Sequence, residues 1–83
     1  MQETASLTPL LIKTATCPAC RTAIFLLDRA GIRYTTVLAD EAPDTARRYD
    51  VHHVPTLILP HADGSHDTLV GADAIRDYVK EQG

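Results

Sequence analysis

The chain has only two cysteines, Cys17 and Cys20, and they stand three positions apart. They follow the apolar run Leu10-Leu11-Ile12 and open a pattern of apolar residues at helical spacing. This constrains the fold more than any other feature: on the first turn of a helix a thiol at position i can meet one at i+3. A disulfide there closes a very short ring and opens easily. Cys17 is placed at the helix N-terminus, where unpaired backbone N–H groups and the positive end of the dipole stabilise an anion better than a neutral thiol. Its pKa is therefore expected below the ordinary thiol value. Pro18 fits the first helical position, since the N–H it lacks has no intrahelical partner there and its φ is preset for the helix. Cys20, one turn in, is expected to be buried and less ionised. Cys17 reads as the attacking thiol and Cys20 as the resolving one, the spacing of a dithiol redox centre.

Two other readings of the pair stay open. Cys17 and Cys20 could form half of a zinc site completed by two of His52, His53, His61 and His66, or hold a bridging iron–sulfur cluster with ligands from a partner. Against zinc, the histidines are split between two loop-like segments, whereas finger histidines usually share one helix. Two inert core cysteines are the third possibility, which Pro18 and the helix start do not favour.

With 83 residues there is room for one small domain, and an apolar share of 45% with 23% charged residues is that of a chain able to fold alone. The domain is expected over 9–83, behind a flexible lead-in over 1–8. A formal charge of -3 without a run of lysine or arginine argues against nucleic acid or an anionic membrane as partner. Arg47-Arg48 is the densest cationic pair and reads as a solvated helix face. No stretch has the length and apolarity of a membrane span, and Met1 to Ser6 lacks a basic region followed by an apolar one. A single Cys-x-x-Cys, where a small secreted domain would carry several disulfides, fits a reducing compartment. The expectation is a cytoplasmic monomer.

Along the chain, Leu10-Leu11-Ile12 reads as a central strand covered on both faces. From Pro18 to Ala30 the apolar positions Cys20, Ala23, Ile24 and Leu27 make a helical stripe, widened by Phe25 and Leu26, and Gly31 stops it. Residues 32–38 read as a second strand, and Asp40 to Asp44 open a helix through Arg48-Tyr49. Val54 to Leu59 is a third strand with Pro55 at its head. Asp63-Gly64 turns the chain into a strand over Asp67 to Val70, and a last helix turns Ile75, Tyr78 and Val79 inward. The order β-α-β-α-β-β-α specifies an α/β fold, a four-stranded mixed sheet flanked by helices.

That order, with Cys17-Pro18-Ala19-Cys20 and Val54-Pro55-Thr56, resembles the thioredoxin/glutaredoxin superfamily over almost the whole chain. The resemblance implies that Pro55 is cis and packs beside the redox pair, and that the Val54 backbone receives an extended substrate segment. It also implies a thiol–disulfide oxidoreductase, or, without catalysis, an adaptor docking through the Val54-Pro55 groove. Thr16 replaces the tryptophan before the thioredoxin motif, and the first strand lacks the thioredoxin aspartate, so the chain looks more similar to glutaredoxins and small glutaredoxin-like redoxins. Glutaredoxins carry Cys-Pro-Tyr-Cys; Ala19 stands at the tyrosine. Their lysine three residues before the first cysteine is matched by Thr14, with Lys13 one position further away. Of their glutathione-binding Gly-Gly-x-Asp-Asp segment only Gly71 and Asp73 are present, and Asp73 serves equally as a helix cap.

Residues 26–34, Leu-Leu-Asp-Arg-Ala-Gly-Ile-Arg-Tyr, are similar to the corresponding stretch of glutaredoxin-like hydrogen donors of ribonucleotide reductases. The implied partners are protein disulfides, among them a ribonucleotide reductase, with thioredoxin reductase or glutathione as electron donor. No resident cofactor or metal is expected; glutathione would enter as a reductant. Catalytic roles fall to Cys17 and Cys20, and substrate contacts to Pro18, Val54, Pro55, Gly71 and Asp73. His52 and His53 would border the groove, tuning Cys17 or touching a partner, or else stand solvated in a loop.

Overall fold

The computed structural model describes residues 8–82. The expected lead-in over 1–8 lies outside them except for Thr8. Seven elements follow in chain order: β1 (Leu10–Lys13), α1 (Pro18–Arg29), β2 (Thr35–Leu38), α2 (Pro43–Arg48), β3 (Thr56–Pro60), β4 (His66–Val70) and α3 (Ala72–Gln82). The strands form one sheet in the order β2-β1-β3-β4. β1 and β2 run parallel around α1, while β1 with β3 and β3 with β4 are antiparallel. The expected mixed four-stranded sheet is present, with β1 inside it.

Strand parity sorts the side chains into two layers. Leu11 stands opposite Leu57, and Leu57 opposite Leu69, so these three share a face. On that face Leu11 and Leu57 join Ala23 and Leu27 of α1 and Ile75 of α3 in one fully buried cluster, with Tyr78, Val79 and Leu69 packed against it. The inward side of α3 is the one its periodicity specifies. Ile12 and Ile58 point the other way and are also fully buried. His66 has the parity of Ile58, and its ring makes a T-shaped contact with Tyr49, just past α2, at 5.0 Å between centroids. The end of α2 therefore lies on the second face.

Two boundaries differ from the periodicity. β2 starts at Thr35 rather than at residue 32 because α1 ends in a Schellman motif: the Gly31 N–H bonds the Asp28 carbonyl (3.1 Å) and the Ile32 N–H the Leu27 carbonyl (3.0 Å). Gly31 has φ 73°, a conformation glycine adopts without penalty. Ile32 is thus committed to the helix end, and it packs on the core beside Leu27. β3 starts at Thr56 rather than at Val54, since Pro55 has no N–H for the ladder. Phe25, read as part of the inward stripe, is 58% exposed. Two residues of helix turn through 200°, so a side chain next but one to buried Leu27 must face away from it.

Tyr34 clamps the α1–β2 connection by donating its hydroxyl to Asp28 Oδ1 at 2.8 Å. Burial, and then the hydrogen bond and charge of Asp28, push its phenol up to about 12. The unfolded chain ionises near pH 10, so Tyr34 contributes fully to stability below that value. The contribution is lost as pH rises from about 10 through the folded value of about 12. Urea midpoints between pH 9 and 11 are expected to fall less steeply in Tyr34→Phe than in the unchanged protein; parallel slopes would contradict the coupling.

Candidate active site

The site is built where β1 ends and α1 begins. β1 delivers the chain through the exposed Ala15-Thr16 link to Cys17, which is the N-cap of α1 with the extended angles φ -136° and ψ 102°. Pro18 occupies the first helical position, as expected. The Cys17 Sγ accepts the backbone N–H of Cys20 at 3.1 Å, so sulfur takes the place that a serine or aspartate oxygen holds in an ordinary cap. No acidic residue lies in the first turn to compete with a negative charge there. Cys17 and Cys20 are joined in a disulfide, with Cα atoms 5.2 Å apart.

The two sulfurs differ in access. Cys17 is half-buried beside the exposed Pro18 and Ala19, whereas Cys20 is 1% exposed and lies on the inward side of α1 with Ala23 and Leu27. A shallow cleft of about 300 Å³ opens at Cys17, lined by Ala15, Thr16, Pro18 and Arg21. An incoming sulfur can approach Cys17 from it and cannot reach Cys20. A larger concavity of about 830 Å³, between residues such as Pro9, Leu59 and Tyr78, contains neither cysteine. It sits at the opposite end of the sheet, where β1 starts and β3 ends.

The strand register brings the second motif to the same end as the first. Ile12 pairs with Thr56, which puts Pro55 beside the end of β1 that leads to Cys17. The Val54–Pro55 peptide is cis, and Pro55 is buried. Thr56, also buried, donates its hydroxyl to the His53 carbonyl at 2.6 Å and so fixes the turn that carries Val54. Gly71, with φ 90°, donates its N–H to the Pro55 carbonyl at 2.8 Å, and its own carbonyl receives the Ile75 N–H at 3.2 Å. It therefore joins the proline turn to the start of α3. Asp73 is in the first turn of α3, where its carboxylate is favourably placed against the dipole and accepts a bond from Arg76.

His52 is exposed and its Nε2 lies 2.8 Å from an Asp50 oxygen, while His53 is exposed and contributes its carbonyl to Thr56. His61 pairs with Asp67, and His66 packs on Tyr49. Among the described residues no three side chains of His, Cys, Asp or Glu group as a metal would require. Among the described residues the zinc reading of Cys17 and Cys20 thus finds no third ligand. Among the described residues, no helix is long and apolar enough to cross a membrane.

Solved structures share this architecture, among them the following three. Thioredoxin from Fasciola hepatica superposes with a TM-score of 0.68 at 20% identity, over 92% of this chain and 80% of that one. The fold is thioredoxin-like. A chain from a structure on thiol resolution in yeast mitochondrial 1-Cys peroxiredoxin via the glutathione/thioredoxin systems matches at TM-score 0.64 and 23% identity, covering 98% and 89% of the two chains. Chloroplastic thioredoxin z matches at 0.63 and 18%, covering 98% and 83%. No protein-family model matches the sequence, and neither does any curated protein. In this thioredoxin-like frame Cys17, Pro18 and Cys20 stand at the same end of the sheet as Val54 and Pro55.

Two residues have roles in the site that the sequence does not assign. Arg21 walls the Cys17 cleft; lying four residues after Cys17 on a helix, it had a readable signal. Thr56 belongs to the Val54-Pro55-Thr56 motif, but its bond to the His53 carbonyl had no signal, because that acceptor is identified only by the folded turn.

Proposed function

We propose that the chain is a dithiol–disulfide oxidoreductase that reduces protein disulfides. The observation that carries this reading is the asymmetry of the pair: a half-buried sulfur at a helix N-terminus, accepting a backbone N–H, beside a fully buried partner one turn in. In the reduced protein the Cys17 thiolate attacks one sulfur of a target disulfide. A new sulfur–sulfur bond forms and the other target sulfur leaves as a thiolate, which takes a proton. The Cys20 thiol then loses its proton and attacks Cys17 Sγ. The intramolecular disulfide closes, the second target sulfur leaves as a thiol, and two electrons have passed from the dithiol to the target.

The helix N-terminus holds the attacking sulfur as an anion without a neighbouring general base, because the first-turn N–H groups and the dipole favour negative charge. Beside it, the buried Pro55 and the Val54 backbone offer an edge on which an extended target can lie. A reducing, cytoplasmic setting and a monomeric state suit this chemistry.

The electron source is proposed to be a protein. Glutathione recognition calls for cations and free backbone donors placed for its carboxylates. Here the Gly71 N–H is already bonded to Pro55, the Asp73 carboxylate to Arg76, and Ala19 offers no aromatic surface. A donor of the thioredoxin reductase kind needs only Cys17 and the Val54-Pro55 edge. The target would be a protein disulfide such as that of a ribonucleotide reductase, the class whose small hydrogen donors residues 26–34 resemble. Stopped-flow reduction of the oxidised protein tests the choice. Thioredoxin reductase with its nucleotide is expected to reduce Cys17–Cys20 rapidly and glutathione slowly; reduction by glutathione at the rate seen with a typical glutaredoxin would overturn the protein-donor reading.

A further inference from the structure

We propose that the outward face of α1 is a docking ridge for acidic segments of target proteins, a reading that rests on the exchange reaction above. α1 buries Cys20, Ala23 and Leu27. The opposite arc carries Pro18, Arg21, Phe25 and Arg29, which follow one another at spacings of three and four and so form one line along the helix. The line begins at Cys17, since Arg21 walls the cleft at that sulfur. Its centre is apolar: Phe25 is 58% exposed, and among the described residues Val70 is the other large apolar side chain so exposed.

No ion pair among the described residues engages either arginine of this ridge. Among the described residues the carboxylate pairs are Asp44 with Arg47, Asp73 with Arg76, Asp50 with His52 and Asp67 with His61, and none reaches Arg21 or Arg29. Asp28, on the flank of this arc, is turned to the Tyr34 hydroxyl and forms an ion pair with neither arginine. Arg29 instead lies over the Phe25 ring, its guanidinium carbon 5.8 Å from the centroid. In a chain of net charge -3, two guanidinium groups that flank an exposed aromatic and have no carboxylate partner among the described residues run against the overall balance. They complement an apolar residue between two carboxylates. Arg21 and Arg29 are about 12 Å apart along the axis. An extended strand covers that distance in about four residues, so the matching segment is acidic at positions roughly four apart with an aliphatic or aromatic residue between.

Binding is measured separately from exchange. Two labelled peptides with serine in place of cysteine, one with a glutamate pair four residues apart around a leucine and one with glutamine at both positions, are titrated by fluorescence anisotropy against the oxidised protein. The glutamate peptide is expected to bind about tenfold more tightly at low salt, with the advantage shrinking at high salt and in Arg21→Gln/Arg29→Gln. Equal affinities, or an advantage that persists in the double variant, would overturn the ridge. Disulfide versions of the same peptides then report the chemistry. The ratio of their kcat/KM values should follow the binding ratio and fall in the double variant; a ratio of one would also overturn the ridge. Tight, arginine-dependent binding with no reduction of either disulfide would leave the ridge standing and overturn the exchange reaction instead.

Discussion

Replacing Cys17 by serine abolishes reduction of a protein disulfide, and replacing Cys20 by serine converts the protein into a trap that accumulates bonded to its target through Cys17. The difference follows from position rather than from residue type. Cys17 is the half-buried cap whose sulfur already accepts the Cys20 N–H, and Cys20 is 1% exposed beneath it. Without Cys17 no sulfur can be reached from the cleft. Without Cys20 the first exchange still occurs but nothing adjacent resolves it, so the mixed disulfide waits for an external thiol. Multiple-turnover rates should fall by at least about a hundredfold in both variants, on the scale set by loss of a catalytic nucleophile. Non-reducing mass spectrometry separates them, with the adduct found in Cys20→Ser alone. An adduct formed by Cys17→Ser instead would reverse the roles.

Replacing Leu57 by alanine should be the most damaging change in the core. Leu57 is fully buried in β3, opposite both Leu11 and Leu69, and belongs to the cluster that holds α1 and α3 on the sheet. Truncating such a leucine costs about 2 to 5 kcal/mol, the lost transfer energy plus the cavity. At roughly 0.05 to 0.15 kcal/mol per residue a domain of this size has a reserve of about 4 to 12 kcal/mol, so the loss takes a large share of it and lowers the urea midpoint strongly. Phe25→Ala, on the exposed arc of α1, should cost less than about 1 kcal/mol. Urea denaturation of the two variants decides this, and similar losses would contradict the assigned packing.

The parts legible in the sequence were those written in short-range pattern. Cys17, Pro18 and Cys20 specify a cap, a first helical residue and a buried position, and the helix has all three. Ile75, Tyr78 and Val79 specify the inward side of α3 through a 3.6-residue period alone. The cis bond before Pro55 was legible only through resemblance, because composition does not distinguish it from a proline that opens a strand. Phe25 is apolar yet faces solvent, because helix angle rather than apolar character decides its side. The use of the Gly71 N–H by Pro55 joins residues 16 positions apart, and nothing local to either announces it. The Schellman end of α1 was half legible: Gly31 marked the stop, while the second bond, which removes Ile32 from β2, depended on where Leu27 packs.

The reaction is tested most directly by a single turnover. Stoichiometric, metal-free reduced protein is mixed with a peptide disulfide, quenched with acid, and the sulfur state of each partner is read by mass spectrometry. The proposed exchange requires one peptide disulfide reduced per protein molecule, with both electrons drawn from Cys17 and Cys20 and those two residues recovered joined to each other. A peptide left oxidised, or a lasting adduct at Cys17 while Cys20 remains a free thiol, would contradict it.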